Sequence, residues 1–210
     1  MRFGPMGELL TPAVRCTRRD LPPSRRRPMG SAWPVRTRYG STAGAAPDPW
    51  AGAEAEPAVR AWRERLDPSA RAGVPAHVTV LFPFLEESRI DNAALAAIGE
   101  VIGRHRPFEA RFEHCGRFPG ILYLVPEPDL PFRRLTEAIS DRWPENPPFG
   151  GQFDEVVPHL TIAQGQEDAV LDEVEADLRG RLPLTARVSS VDLMVHDGAR
   201  WHQRASFALR

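Results

Sequence analysis

The chain carries two short segments in which a threonine follows a histidine by two residues. They are residues 74–80 (VPAHVTV, the first motif) and residues 157–162 (VPHLTI, the second motif). On a β-strand, positions i and i+2 face the same side. We therefore predict two strands that each present an imidazole and a hydroxyl on one face, His77 with Thr79 and His159 with Thr161, opposite a buried aliphatic face.

Two imidazoles and two hydroxyls suit the cleavage of a phosphoester without a metal ion. One imidazole takes a proton from water while the other gives a proton to the leaving oxygen, because imidazoles titrate near neutral pH. The hydroxyls would donate hydrogen bonds to the phosphate oxygens, where negative charge develops. Either histidine alone is more simply explained as a structural strand residue, and the repeated pattern is what favours catalysis.

The paired motifs, 82 residues apart, resemble those of the 2H phosphoesterase superfamily. The resemblance is to the bacterial branch of 2′-5′ RNA ligase family proteins, also described as RNA 2′,3′-cyclic phosphodiesterases. It covers about residues 54–210. Besides the two motifs, Phe82-Pro83-Phe84 after the first motif and residues 154–158 (DEVVP) at the second also resemble the bacterial members.

This resemblance implies an α+β fold of two lobes related by a pseudo-twofold axis, with mainly antiparallel sheet, flanking helices and a central cleft. It also implies hydrolysis of 2′,3′-cyclic phosphates on RNA ends or nucleotides to 2′-phosphomonoesters, and in some members 2′-5′ ligation. Carried over to this chain, His77 is the proton donor, His159 is the base, and Thr79 and Thr161 hold the phosphate. No cofactor and no metal are expected.

Four further residues are weaker candidates for substrate binding. Phe82, Tyr123 and Phe149 could stack on a base, and Arg117 could meet a phosphate. The plainer interpretation is core packing for each aromatic ring and an exposed surface position for the arginine.

Hydrophobic periodicity places these residues on alternating elements of an α+β fold with mainly antiparallel sheet. The predicted helices are 54–66, 91–103, 131–143 and 167–178. The predicted strands are 74–84, 108–115, 121–125 and 159–163, followed by strands between residues 184 and 209 that have a bulge at Ser189-Ser190 and a turn at Asp197-Gly198.

Residues 1–52 show no sustained period and are rich in Arg, Pro and Gly. We interpret them as a disordered basic tail or an over-extended start, and residues 53–210 as the folded domain. The family resemblance also implies an apolar strand ahead of the first helix. The residues directly before that helix, 43–53, contain no β-branched residue, and residues 33–39 are the other candidate for this strand.

Composition limits the chemistry and the partners. All 27 basic residues are arginine, so mechanisms that need a lysine are excluded. Residues 1–40 carry a net charge of +7 and residues 41–210 a net charge of −8. An acidic folded part is a poor partner for a long nucleic-acid duplex. The two cysteines form no disulfide framework, and no apolar run is long enough for a membrane span.

We therefore expect a cytoplasmic monomer that acts on RNA ends with a cyclic phosphate or on small cyclic nucleotides. Two alternatives stay open from the sequence. One is a non-catalytic protein that binds a nucleotide or an RNA end, and the other is a hydrolase of a small-molecule cyclic phosphate.

Overall fold

A computed structural model describes residues 36–39, 55–153 and 155–210, with residues 36–39 described as backbone only. The helices are α1 (Glu56–Leu66), α2 (Pro68–Arg71), α3 (Asn92–Ile102), α4 (Leu130–Arg142) and α5 (Asp168–Arg179), with 3₁₀ turns at Glu87–Arg89 and Pro148–Gly151. The strands are β1 (Arg36–Tyr39), β2 (Phe108–Phe118), β3 (Ile121–Glu127), β4 (Leu160–Gln164), β5 (Leu184–His196) and β6 (Trp201–Ala208).

The strands form one antiparallel sheet in the order β1-β5-β2-β3-β4, with β6 also paired to β5. The first half of β5 pairs with β2, and residues 190–196 pair with β6. This arrangement confirms the predicted α+β class with mainly antiparallel sheet. The predicted bulge is confirmed as well, because the pairing of β1 with β5 passes from Ser190 to Val188 and skips Ser189.

Two hydrophobic clusters flank the sheet and share the length of β5. The α3–α4 cluster contains Ile98, Ile102, Leu135, Ile139, Val191 and Leu193 among its buried residues. The α1–α5 cluster contains Val59, Leu122, Leu124, Leu160, Ile162, Leu171, Val174, Leu178 and Val188. The apolar positions of each helix recur at spacings of three and four, which is why one stripe of each faces the sheet.

The helix ends follow from local chemistry that the sequence already contains. Pro57 lies in the first turn of α1, where its missing N–H costs no hydrogen bond. The Asp91 side chain caps α3 by accepting a hydrogen bond of 2.8 Å from the N–H of Ala94. The four helices predicted from periodicity are all present, with ends that differ by no more than two residues.

The predicted strand over residues 74–84 is wrong, because this segment belongs to no strand of the structure. Within the described part of the chain, side chains bind several of its backbone groups. The N–H of Ala76 donates to Glu56, and the carbonyls of Val74, Val80 and Phe84 accept from Arg63, Thr136 and Asn146. The alternating aliphatic residues correctly predicted burial, yet Val78 packs in the α1–α5 cluster and Val80 in the α3–α4 cluster.

Strand β1 lies inside the segment that we predicted to be a disordered tail. The prediction for residues 1–52 is therefore wrong at Arg36–Tyr39, which pair with β5 from Asp192 to Val188. These four residues fall within the alternative candidate strand, residues 33–39. The rest of the predicted tail lies outside the described residues.

Candidate active site

The first motif holds its histidine and threonine in a nearly closed environment. His77 is 5% exposed and Thr79 is 8% exposed. The Nδ1 atom of His77 lies 2.8 Å from the carbonyl oxygen of Pro75. A carbonyl can only accept, so Nδ1 carries the proton. In the neutral ring, Nε2 is then the nitrogen that accepts a proton.

The second motif repeats this arrangement at the start of β4. The Nδ1 atom of His159 lies 3.0 Å from the carbonyl oxygen of Val157. In both motifs the histidine therefore bonds the carbonyl two residues earlier, and Nε2 is the basic nitrogen in both neutral rings. Thr161 lies two residues further along β4, opposite Tyr123 of β3.

Aromatic rings surround His159 on the face of the sheet that carries Thr161. The ring centroid of His159 lies 5.0 Å from that of Tyr123 and 5.4 Å from that of Phe118. Burial lowers the pKa of His159 from 6.5 to about 4, and the hydrogen bond to Val157 opposes this shift without cancelling it. His159 is consequently neutral at pH 7 and able to accept a proton.

The two motifs share a hydrophobic cluster and one buried side chain. Val78 of the first motif packs in the same cluster as Leu160 and Ile162 of the second. The guanidinium of Arg63 donates to the carbonyls of Val74 and Thr161. The fold therefore brings together two segments that lie 82 residues apart in the sequence.

Arg63 was not predicted as a site residue, although the sequence contains one signal for it. It follows Val59 by four residues, and four residues is the spacing that keeps side chains on one face of a helix. Val59 is buried, and a charged residue on a buried helix face needs partners there.

Of the weaker substrate-binding candidates, Tyr123 is placed directly beside His159. Phe82 and Phe149 are joined by their backbones, since the N–H of Phe149 donates to the carbonyl of Phe82 over 2.7 Å. Phe149 has a φ of 51°, and its ring meets that of Phe153 edge to face. Phe82 is packed against the α3–α4 cluster, which agrees with the plainer interpretation of that ring.

Arg117 is directed elsewhere. Its guanidinium forms ion pairs with Asp172 and Glu175 of α5, and these carboxylates raise its pKa. The two acidic partners bind Nε and Nη2 of the guanidinium, so this arrangement does not favour Arg117 as a phosphate ligand.

Gly116 makes room for the ring that flanks His159. It lies opposite Tyr123 in the β2–β3 pairing, and a Cβ at this position would be 2.4 Å from Cε2 of Tyr123. We expect Gly116→Ala to displace the Tyr123 ring, to lower stability by about 1–3 kcal/mol, and to reduce activity. Thermal unfolding and steady-state kinetics measure both effects.

Gly180→Ala is the matched control, because a Cβ there would meet the carbonyl oxygen of Asp177 at an ordinary 3.7 Å. Unchanged stability and kinetics in Gly116→Ala would show that the position of the Tyr123 ring does not depend on this glycine.

Comparison with known proteins decides the family. The model of the 2′-5′ RNA ligase superfamily matches residues 49–200, which include both motifs. The chain belongs to the 2′-5′ RNA ligase superfamily. This confirms the resemblance drawn from the motifs, and membership in the superfamily supports a phosphoesterase activity in general terms.

Similar proteins include a relative named as a phosphoesterase from Bacillus cereus (strain G9842). It is 32% identical over 130 residues, which are 57% of this chain and 66% of that protein, just under two thirds of its length. Among solved structures, Escherichia coli LigT complexed with 3′-AMP has a TM-score of 0.47 at 17% identity, and TT0787 of Thermus thermophilus has 0.46 at 20%. Each similarity covers 73% of this chain and 90% of the other.

The described residues of this superfamily member contain no helix that is long and apolar enough to cross a bilayer.

Proposed function

We propose that this superfamily member hydrolyses 2′,3′-cyclic phosphates on RNA ends or nucleotides to 2′-phosphomonoesters, with His77 and His159 as the acid and base. The observation that carries the proposal is that both imidazole rings have the same tautomer, with the proton on Nδ1. Each donates Nδ1–H to the carbonyl two residues earlier, which directs proton transfer to Nε2 in both.

The two histidines divide the proton transfers between them. Nε2 of His159 takes a proton from water, whose oxygen forms a bond to phosphorus. The bond between phosphorus and O3′ breaks, and Nε2 of protonated His77 gives its proton to O3′. The product keeps the phosphate on O2′, and the two histidines return to their starting states by exchanging protons with solvent.

The choice of His159 as the base rests on its surroundings. Burial holds its pKa near 4, so the ring is neutral over the whole physiological range. A general acid must instead be protonated before the reaction, and we assign that role to His77.

Thr79 and Thr161 would bind the non-bridging phosphate oxygens. At the start of β4 the two-residue spacing puts the Thr161 hydroxyl on the same side as the His159 ring, and we assign Thr79 the matching role because it follows His77 at the same spacing. Hydroxyl donors that are already in place stabilise the charge that develops on those oxygens.

The reaction that we propose needs no metal ion. Among the residues that the structure describes, no three His, Cys, Asp or Glu side chains form a group able to hold one. A 5′-hydroxyl in place of water would give a 2′-5′ linkage by the same proton transfers, which would account for ligation by the same site.

The substrate that we propose is a terminal or small phosphate rather than a duplex. Residues 41–210 carry a net charge of −8, which opposes the many phosphate contacts that duplex binding needs. The rings of Tyr123 and Phe118, 4.5 Å apart at their centroids, offer an apolar wall beside His159 for a ribose or base.

The pH dependence of kcat/KM in the presence of EDTA tests the proposal. This ratio reports the free enzyme, so its acid limb should follow His159 and fall as the pH drops through about 4. The alkaline limb should mark loss of the proton from the donor. A solvent-exposed imidazole base would instead place the acid limb near 6.5.

Stability must be followed at each pH, because the same shift affects folding. Between pH 6.5 and 4 the unfolded chain protonates His159 while the folded chain does not, so stability falls as the pH falls. Turnover in EDTA excludes a purely binding protein. Activity that disappears in EDTA and returns with one metal, or an acid limb near 6.5 while the protein is still folded, would contradict the proposal.

A further inference from the structure

The side chain of Arg63 connects both motifs from the interior of the protein. It projects from α1 and is 1% exposed. Its Nε–H donates to the carbonyl of Thr161 over 3.0 Å, and its Nη1 donates to the carbonyl of Val74 over 3.3 Å. One planar group therefore binds backbone atoms of both motifs.

The remaining nitrogen of the guanidinium, Nη2, binds residues outside the two motifs. Nη2 donates to Oδ2 of Asp67 over 2.6 Å and to the Ser69 hydroxyl over 3.2 Å. Asp67 is itself fixed, because it accepts from the N–H and the hydroxyl of Ser69 at the start of α2. The direction of the guanidinium is thus set independently of the two motifs.

The two carbonyls belong to parts of the site with direct roles in the proposed reaction. Thr161 carries one of the proposed phosphate-binding hydroxyls. Val74 precedes Pro75, whose carbonyl oxygen fixes the tautomer of His77. Within the described residues, the guanidinium links the first motif directly to β4.

We propose that Arg63 is a positioning residue, which sets the separation of the two motifs by binding the carbonyls of Val74 and Thr161 with one rigid guanidinium. This inference rests on the proposed function only for the consequence in catalysis. The placement of the two histidines can be measured without turnover.

Arg63→Lys is the informative variant. A lysine keeps the positive charge beside Asp67 but replaces the planar guanidinium with a single ammonium group, which cannot reproduce the directed bonds to both carbonyls. We expect kcat for a 2′,3′-cyclic nucleotide to fall about 10- to 100-fold. KM should change little, because the lost interaction serves the alignment of the reacting groups rather than binding.

Trp62→Phe is the matched control on the same helix. Trp62 is adjacent to Arg63 in sequence. Its Nε1–H donates a hydrogen bond of 2.6 Å to Asp177 of α5, which anchors α1 to that helix. If a loosened α1 were the only cause, Arg63→Lys and Trp62→Phe variants of equal thermal stability would lose activity equally. We expect the loss of activity in Arg63→Lys alone.

Imidazole ¹H–¹⁵N NMR spectra separate this inference from the proposed reaction. Arg63→Lys should shift the ring resonances of both His77 and His159, and Trp62→Phe should shift neither. Shifts at both rings in a protein whose wild type hydrolyses no cyclic phosphate would support the positioning role and contradict the proposed function.

Shifts at one ring or at neither, or equal loss of kcat in Trp62→Phe, would overturn the inference. If Arg63→Lys does not fold, Ser69→Ala replaces it in both measurements. That variant removes the hydroxyl that accepts from Nη2 but keeps the ion pair with Asp67, and the same joint shift of both rings is expected.

Discussion

We expect His159→Gln to open a 2′,3′-cyclic nucleotide about 10² to 10⁴ times more slowly than the wild type, and His77→Gln to show a loss of similar size. Glutamine keeps a polar side chain at each position but cannot exchange a proton at neutral pH. The loss should fall on kcat more than on KM, since proton transfer occurs in the transition state. Initial rates of ring opening give both constants.

His202→Gln is the control for these two variants. His202 lies on β6, where its side chain is 53% exposed and pairs with Asp197, an arrangement that belongs to the hairpin. It should keep the wild-type rate. A loss of rate in only one of the two motif variants would contradict the proposal that both histidines transfer protons with similar effects on the rate.

The second large effect is expected at the two threonines. Thr161→Val and Thr79→Val each remove a hydroxyl while keeping the side-chain shape, and each should lower kcat by about 10² to 10³ through loss of a donor to the charged phosphate. Thr185→Val is the matched control, because Thr185 lies on β5 opposite Arg111 of β2. Wild-type kcat in both motif variants would show that the hydroxyls do not bind the reacting phosphate.

Most of the secondary structure could be predicted because the signals are local. Asp91 predicts the start of α3, and the three-and-four spacing of Leu171, Val174 and Leu178 indicates α5. The second motif was correctly predicted as a strand, with β4 beginning one residue after His159. Capping and periodicity act within a few residues, so they can be seen without knowing the fold.

The first motif is a case in which local sequence signals did not predict the secondary structure. Its aliphatic residues alternate as they do in the second motif, yet side chains from α1 and α4 bind its backbone. A strand needs a partner strand, and the sequence of one segment does not say whether that partner exists. The burial of the motif's aliphatic residues was predicted correctly, while its secondary structure was not.

Arg63 shows a second kind of limit. Its partners lie as far as 98 residues away, at Thr161, and no spacing rule connects them. Breaking the buried pair with Asp67 by removing one partner should cost about 3–5 kcal/mol, because the remaining charge stays buried without a partner. Only the folded arrangement shows that the same group also binds both motifs.

The most direct test of the account is the product formed by the wild-type protein. A ³¹P NMR time course with a 2′,3′-cyclic nucleotide in EDTA at pH 7 identifies the phosphate ester, and His77→Gln/His159→Gln serves as the blank. We expect steady conversion to the 2′-phosphomonoester by the wild type and none by the double variant. A 3′-phosphomonoester, an intact cyclic phosphate with folded wild type, or equal rates in the two proteins would contradict it.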